Sequence, residues 1–403
     1  MTATIPLRET AVYVPGYMPN DARIDGRPLH RDRKYMRDIE DSSKPFRLLS
    51  RIGFDGDVTQ TLLPVKAHDV KISPDGSVGV LCGFEGDDHV SFDPQTLDLV
   101  GKAPVLADGW RGGGHAAYVD GGQTVLISER APGQPIRGGK VEDHFGRITI
   151  RDADTLKIRG SYSTHGIDPH DIRLIENNRY LVVANYGSHP EARSGELPVP
   201  RHVVEACVTI IDVRDGKLVE KQVTNRKNIE LRHLAAGTRD RIFAIQAKLG
   251  DEAALARAIG RDPAAQGEDI TTTTGSAYLP AATLKMAAGK RPSGMGNSQQ
   301  VREMRHGLSI QYDSRADQAI ASYPSAHRVM VFDGASGEII EDLDTRTVGL
   351  RYPCGITLLP DDKHYAVAGY WENLFVFERG SHRLVRDLCL YPMFFGHSHI
   401  TAA

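Results

Sequence analysis

A histidine recurs at one position of an internal repeat, and no other feature of the chain constrains the fold as tightly. The segments "HDVKISPDGSVGVLCG" from His68, "HAAYVDGGQTVLISE" from His115, "HDIRLIENNRYLVVAN" from His170 and "HLAAGTRDRIFAIQ" from His233 share one layout: histidine, short apolar strand, turn, second apolar strand. "GLSIQYDSRADQAIAS" from Gly307 and "CGITLLPDDKHYAVAG" from Cys354 keep the pattern, with His306 just ahead of the first and Cys354 leading the second. The final "GHSHITAA" opens a seventh copy at His397 that the chain does not finish. A third and a fourth strand follow five of these pairs, as in "HVSFDPQTLDLVGKAPV" and "GRITIRDADTLKIRGSYS". Asp, Gly and Ser clusters between β-branched runs mark tight antiparallel hairpins. Four antiparallel strands recurring every roughly 45 to 60 residues describe a β-propeller blade.

The expected fold is therefore all-β, a seven-bladed β-propeller. Length alone would suggest two or three domains for 403 residues, but a repeat array overrides that count and points to one domain over 1–403. The seventh blade has one strand before the C-terminus, so residues 1–67 must complete it, with "ETAVYVPGY" and "PFRLLSRIGF" as candidate strands. Strands from both chain ends in one blade close the ring. Two segments exceed the repeat: 186–206, between the second and third strands of blade 3, and 249–302, with an Ala-rich "DEAALARAIG". Long insertions between repeat strands map to one face, where 249–302 is expected to act as a lid loop.

The formal net charge is −3, and no basic run or aromatic-basic stripe occurs. Neither a nucleic-acid partner nor an anionic membrane surface is called for. The start of the chain has no apolar leader core and no stretch of about 18 apolar residues occurs, so a cytoplasmic location is expected. Four cysteines without a CxxC pair read as free thiols in a reducing compartment.

In a propeller the starts of the innermost strands and the ends of the second strands share one rim. The starts supply His68, His115, His170, His233, His306 or Gly307, Cys354, and His397 or His399. The ends supply Cys82, Glu129, Asn185, Gln246, Ser322 with Tyr323, and Gly369 with Tyr370. Convergent neutral imidazoles suit iron, copper, nickel and zinc, while carboxylates and amides orient ligating rings from outside. His68, His115, His170, His233, His397 and His399 are thus the candidate metal ligands, with Glu129, Asn185 and Tyr323 as candidate catalytic groups. Duplicated blades also inherit structural histidines that only hydrogen-bond a neighbouring strand. Asp69 and Asp171, directly after histidines, would point away from the axis on a regular strand. His382 falls in an outer hairpin turn and is expected to be replaceable.

The runs "GIDPHDIRLIENNRYLVVANYGSHPEARSGE", "RHLAAG", "HAAYVDGGQTVLISE" and "PCGITLLPDD" resemble an uncharacterised bacterial β-propeller family, in order over roughly residues 66 to 400. Its members carry His-led blades and are often encoded beside imelysin-type iron-uptake proteins. The resemblance implies seven blades and transition-metal chemistry, without an established reaction. Many relatives look exported, and the chain departs from them in its start and in the 249–302 insertion. By analogy of architecture with carotenoid oxygenases, the expected function is an iron- or copper-dependent oxidoreductase or oxygenase, zinc being the third choice, acting on a small organic substrate. The alternatives are a lactonase-like hydrolase using Glu129, Asn185 and a histidine, favoured by "ANYG" at 184–187, or a non-catalytic metal- or ligand-binding propeller.

Overall fold

A computed structural model describes residues 5–18, 23–24, 27–28, 46–84, 86, 88–132, 140–189, 202–224, 229–250, 277–369, 373–391 and 399–403. Each expected strand pair forms, and blades 1 to 6 are antiparallel sheets whose strands follow in chain order from the inside out. Blade 1 comprises Ala67–Ile72, Gly79–Gly83, Asp88–Phe92 and Leu99–Pro104. Blades 2 and 3 begin at Arg111–Val119 and Pro169–Ile175, blades 4, 5 and 6 at Ile229–Thr238, Ser309–Asp313 and Pro353–Leu358. In blade 6 the fourth position is held only by isolated bridges, Leu374 to Leu390 and Phe377 to Leu384.

Blade 7 is assembled from both ends of the chain. C-terminal Thr401–Ala402 is its innermost strand and pairs with Ala11–Met18, which leads out to Phe46–Gly53 and Val58–Leu62. The ring is thereby a closed seven-bladed propeller, and a closed ring leaves no blade with an unpartnered face. Among the described residues an apolar cluster fills each of the seven gaps between neighbouring blades. Val80, Cys82, Val125 and Ile127 pack blade 1 on blade 2, for example, and Val12, Ile52, Ala366 and Val376 pack blade 7 on blade 6. Strand periodicity is what builds these gaps: alternate residues face the preceding and the following blade, so inner strands are buried on both sides.

His382 is more buried than an outer turn suggests. It does lie in an outer turn, but with φ 54 its ring turns inward and is only 5% exposed. Its Nδ1 meets the Tyr365 hydroxyl at 3.3 Å and its Nε2 the Gln318 side-chain oxygen at 3.1 Å, which ties blade 6 to blade 5. A turn position on the sequence says nothing about a side chain long enough to reach the sheet gap.

Candidate metal centre

The histidines do not sit on regular strand. Pairing between the two inner strands slips at Ala67/Asp69 in blade 1, Gly112/Ala116 in blade 2, Pro169/Ile172 in blade 3 and Leu231/Leu234 in blade 4. Each slip is a β-bulge whose extra residues include His68, His115, His170 or His233. A bulge re-aims a side chain that the pleat would otherwise direct at a neighbouring blade. Blade 6 has the same bulge at Pro353/Ile356 with Cys354 in it, whereas blade 5 pairs without a slip from Ser309 to Asp313. In blade 2 the bulge itself carries Gly113 and Gly114. Gly114 has φ 97, and a Cβ there would lie 3.2 Å from the His68 ring, so the strand passes beneath blade 1 only as glycine.

The result is a packed group of imidazoles on the propeller axis. One ring nitrogen from each of His68, His115, His170 and His233 lies within 4.8 Å of the others, and all four residues are buried. His399, just before the C-terminal strand, joins them, its ring centroid 4.5 Å from His233, 4.6 Å from His68 and 4.9 Å from His115. His68 and His233 come from blades three apart in a ring of seven, yet their rings are 5.7 Å apart. Only side chains that meet on the axis can do this. His397 lies outside the described residues.

Proton positions follow from the partners. His115 Nδ1 faces two carboxylate oxygens, Asp69 Oδ2 at 3.1 Å and Asp171 Oδ1 at 3.2 Å, so it carries the hydrogen and Nε2 carries the lone pair. His170 Nδ1 is 2.6 Å from the Gly113 carbonyl and 3.3 Å from an Arg130 nitrogen; the carbonyl contact is the shorter and makes this nitrogen a donor too. His115 Nε2, His170 Nε2, His399 Nε2 and His233 Nδ1 are buried with no hydrogen-bond partner among the described residues. A buried lone pair left unpaired costs about 1–3 kcal/mol, and several aimed at one point are what an ion would satisfy. The donor set therefore fits a transition metal: neutral nitrogen donors, converging, with the far ring nitrogen of His115 held by carboxylates.

The bulge also turns Asp69 and Asp171 toward the axis, contrary to the direction a regular strand gives. From blades 1 and 3 they grip His115 of blade 2 on both sides, and each carries its own cation, Lys71 at 2.8 Å and Arg173 at 2.7 Å. Burial alone would raise the Asp69 carboxyl; the Lys71 ammonium and the His115 ring outweigh it and hold it well below the usual range. Burial pushes His170, His233 and His399 far down, and the neighbouring imidazoles add to the effect.

On the rim side the cluster is covered by Phe84, stacked on His68 at 4.7 Å, by Tyr186, 4.7 Å from His170, and by the Arg130 guanidinium between those two rings. These residues end the second strands, as expected for the rim, but one or two positions beyond those singled out. For Arg130 and Tyr186, one position beyond Glu129 and Asn185, strand periodicity is the cause, since neighbours face opposite ways. Glu129, beside Arg130, points into the gap with blade 1. Its carboxylate accepts from Arg151 (2.6 Å), Thr149 (2.8 Å) and the Leu106 amide (2.6 Å). Burial would raise its carboxyl, yet His89 and Arg151 hold it at about 2. Asn185, beside Tyr186, donates toward Thr209, and Tyr323 bonds Thr283 within the core between blades 4 and 5. His306 meets the Ser325 hydroxyl. The structure brings together five of the named histidines; the contacts of Glu129, Asn185, Tyr323 and His306 lie elsewhere. Of the two long segments, 190–201 and 251–276 lie outside the described residues, as does Tyr370, while Leu284–Met286 and Ser293–Gly294, inside 249–302, are the third and fourth strands of blade 4.

Residues 61–375 match the family described as "Protein of unknown function (DUF1513)". The chain belongs to that family. No curated protein matches it. Among solved structures, a putative 6-phosphogluconolactonase from Bacteroides fragilis is similar at TM-score 0.55 and 11% identity, covering 98% of each chain. Kuenenia stuttgartiensis hydrazine synthase is similar at TM-score 0.51 and 14% identity, covering 88% of this chain and 94% of that one. At such identities the likeness speaks for the propeller fold alone. No helix among the described residues is long and apolar enough to cross a membrane.

The buried rings give this family member a definite acid response. In the unfolded chain His170, His233 and His399 titrate near about 6.5; in the folded protein they stay neutral far below that. Above pH 7 both states are neutral and stability is flat. As pH falls below about 6.5 the unfolded state alone takes up protons, and metal-free protein loses up to about 1.4 kcal/mol per pH unit for each ring. Urea midpoints between pH 7.5 and 5 measure this; a midpoint unchanged down to pH 5 would contradict it.

Proposed function

We propose that this protein is a metal-dependent enzyme, with iron or copper ahead of zinc, that carries out oxidative chemistry on a small organic substrate at the histidine cluster. The observation that carries the reading is the convergence of four buried histidines from blades 1, 2, 3 and 4, with His399 of blade 7 packed against them, while His115, His170, His233 and His399 each hold a buried ring nitrogen without a hydrogen-bond partner among the described residues. Catalytic zinc is satisfied by three protein ligands and structural zinc by four. A fifth imidazole favours a metal of higher coordination number, and neutral nitrogen donors in place of anionic sulfur raise the reduction potential.

A bound iron or copper ion would supply one-electron chemistry and a coordination position for dioxygen or substrate. The chain's own residues do the rest. Asp69 and Asp171 fix the tautomer and angle of His115, and the Gly113 carbonyl does the same for His170. Burial, the neighbouring imidazoles and, after them, the Arg130 charge disfavour imidazolium at His170 and keep that ring neutral at acid pH. Phe84 and Tyr186 exclude water on the rim side, from which a substrate approaches. Blades 5 and 6 add no histidine to the described cluster, so the side toward those two blades is where the ligand sphere would be left open. A lactonase-like route would ask Glu129 and Asn185 for an activated water, but the Glu129 carboxylate is taken up by Arg151 and the Leu106 amide and the Asn185 amide nitrogen by Thr209.

Dioxygen uptake by protein loaded with Fe(II) or Cu(I) under argon tests the reading. Uptake that rises with a small-molecule substrate and disappears in the apoprotein supports it. Tight loading with no reaction toward dioxygen or any substrate in a broad panel would point to a binding propeller.

A further inference from the structure

The same cluster lies across the one seam of the ring. Six blades start on innermost strands of 6, 9, 7, 10, 5 and 6 residues, each continuous with the rest of its blade through a turn. The innermost strand of blade 7 is 2 residues, Thr401–Ala402, and no turn joins it to the strand it pairs with. It is held by the Ala11 and Ala403 backbone pair at 2.8 and 3.0 Å, by Thr401 Oγ1 donating to the Val70 carbonyl at 2.6 Å, and by the Ala402 amide donating to Thr357 Oγ1 at 3.1 Å. Ile400, 2% exposed, is its apolar anchor between blades 6 and 7. A strand this short, joined by no turn to the strand it pairs with, opens more readily than the longer inner strands.

His399 stands next to that anchor. Its amide donates to the His68 carbonyl at 3.2 Å, and its ring reaches His68, His115 and His233, which belong to blades held independently of the seam. We propose that the metal ion is also the fastener of the ring: His399 is a ligand that exists only while the C-terminal strand is docked, so ion binding and ring closure are one coupled equilibrium. The inference rests on the metal reading above. Opening the seam takes one imidazole away and leaves four, and linkage then fixes a number. The factor by which His399 raises affinity for the ion equals the factor by which the ion suppresses opening of residues 399–403. Closure of the fold thereby reports whether the site is filled.

Zn(II) is a suitable probe because it is redox-silent. Hydrogen exchange of the wild-type protein is followed in the C-terminal peptide carrying the Thr401, Ala402 and Ala403 amides, with Zn(II) and with chelator, and the Gly79–Gly83 strand serves as internal reference. Separately, Zn(II) affinity is titrated in wild type and in His399→Gln. The expected result is that Zn(II) slows seam exchange about tenfold or more, leaves the reference strand unchanged, and that His399→Gln loses affinity by the same factor. Binding of one equivalent with no change at the seam overturns the fastener while leaving the metal centre standing. No binding of Zn(II) or Fe(II) overturns both. Should His399→Gln fail to fold, the wild-type exchange comparison alone decides.

Discussion

His170→Ala is expected to abolish metal retention and turnover together. Its Nε2 is buried, unpartnered and oriented by the Gly113 carbonyl, so its loss removes a pre-aimed donor from the centre of the cluster. Even the outer partners of ligating histidines are worth roughly 10–100-fold in affinity, and a direct ligand should cost at least that. Metal content after gel filtration should fall from near one equivalent to a small fraction, with activity falling in proportion. His382→Ala separates this from general damage. It breaks the Tyr365 and Gln318 contacts, costs about 1–3 kcal/mol in urea unfolding, and should retain its metal. Equal occupancy in wild type, His115→Ala and His170→Ala would leave the cluster a structural one.

Arg151→Ala should produce the largest loss of stability, about 3–5 kcal/mol, because it leaves the Glu129 carboxylate buried without its cation. That is a large share of the roughly 5–15 kcal/mol that holds a typical domain. Arg151 also donates to the Pro104 and Leu156 carbonyls, at 2.9 Å each, so one side chain joins the outer strands of blades 1 and 2. The double variant Glu129→Gln with Arg151→Met should recover much of the loss, since a buried ion pair replaced by groups of similar volume is often near neutral. Unfolding midpoints of the three proteins make the comparison. A nearly neutral Arg151→Ala, with turnover abolished by Glu129→Gln alone, would return Glu129 to a catalytic role.

These two predictions fall on residues that the sequence treats very differently. The propeller is legible because its determinants are local: period-two strands, Asp and Gly turns, and an unfinished repeat at His397 that only an N-terminal strand can complete. The histidines are legible because each opens an inner strand. What lies around them is not, because register and bulges are tertiary. The bulges in blades 1 and 3 turn the residue next to the histidine as well, which is why Asp69 and Asp171 reach His115 instead of pointing away. The "HD" dipeptides and the Gly112–Gly114 run were the available signals. One residue of slip at the ends of the second strands separates Glu129 and Asn185 from Arg130 and Tyr186, which face the cluster. Blade 5 keeps a histidine in sequence but lacks the bulge, and His306 turns to Ser325.

X-ray absorption at the metal edge of protein loaded with one equivalent of Fe(II) under argon reads the ligand set itself. The account predicts a first shell of four or five imidazole nitrogens at roughly 2.0–2.2 Å, with the outer-shell scattering typical of histidine rings and no sulfur. A shell dominated by oxygen, or an edge spectrum indistinguishable from free Fe(II) in buffer, would contradict it.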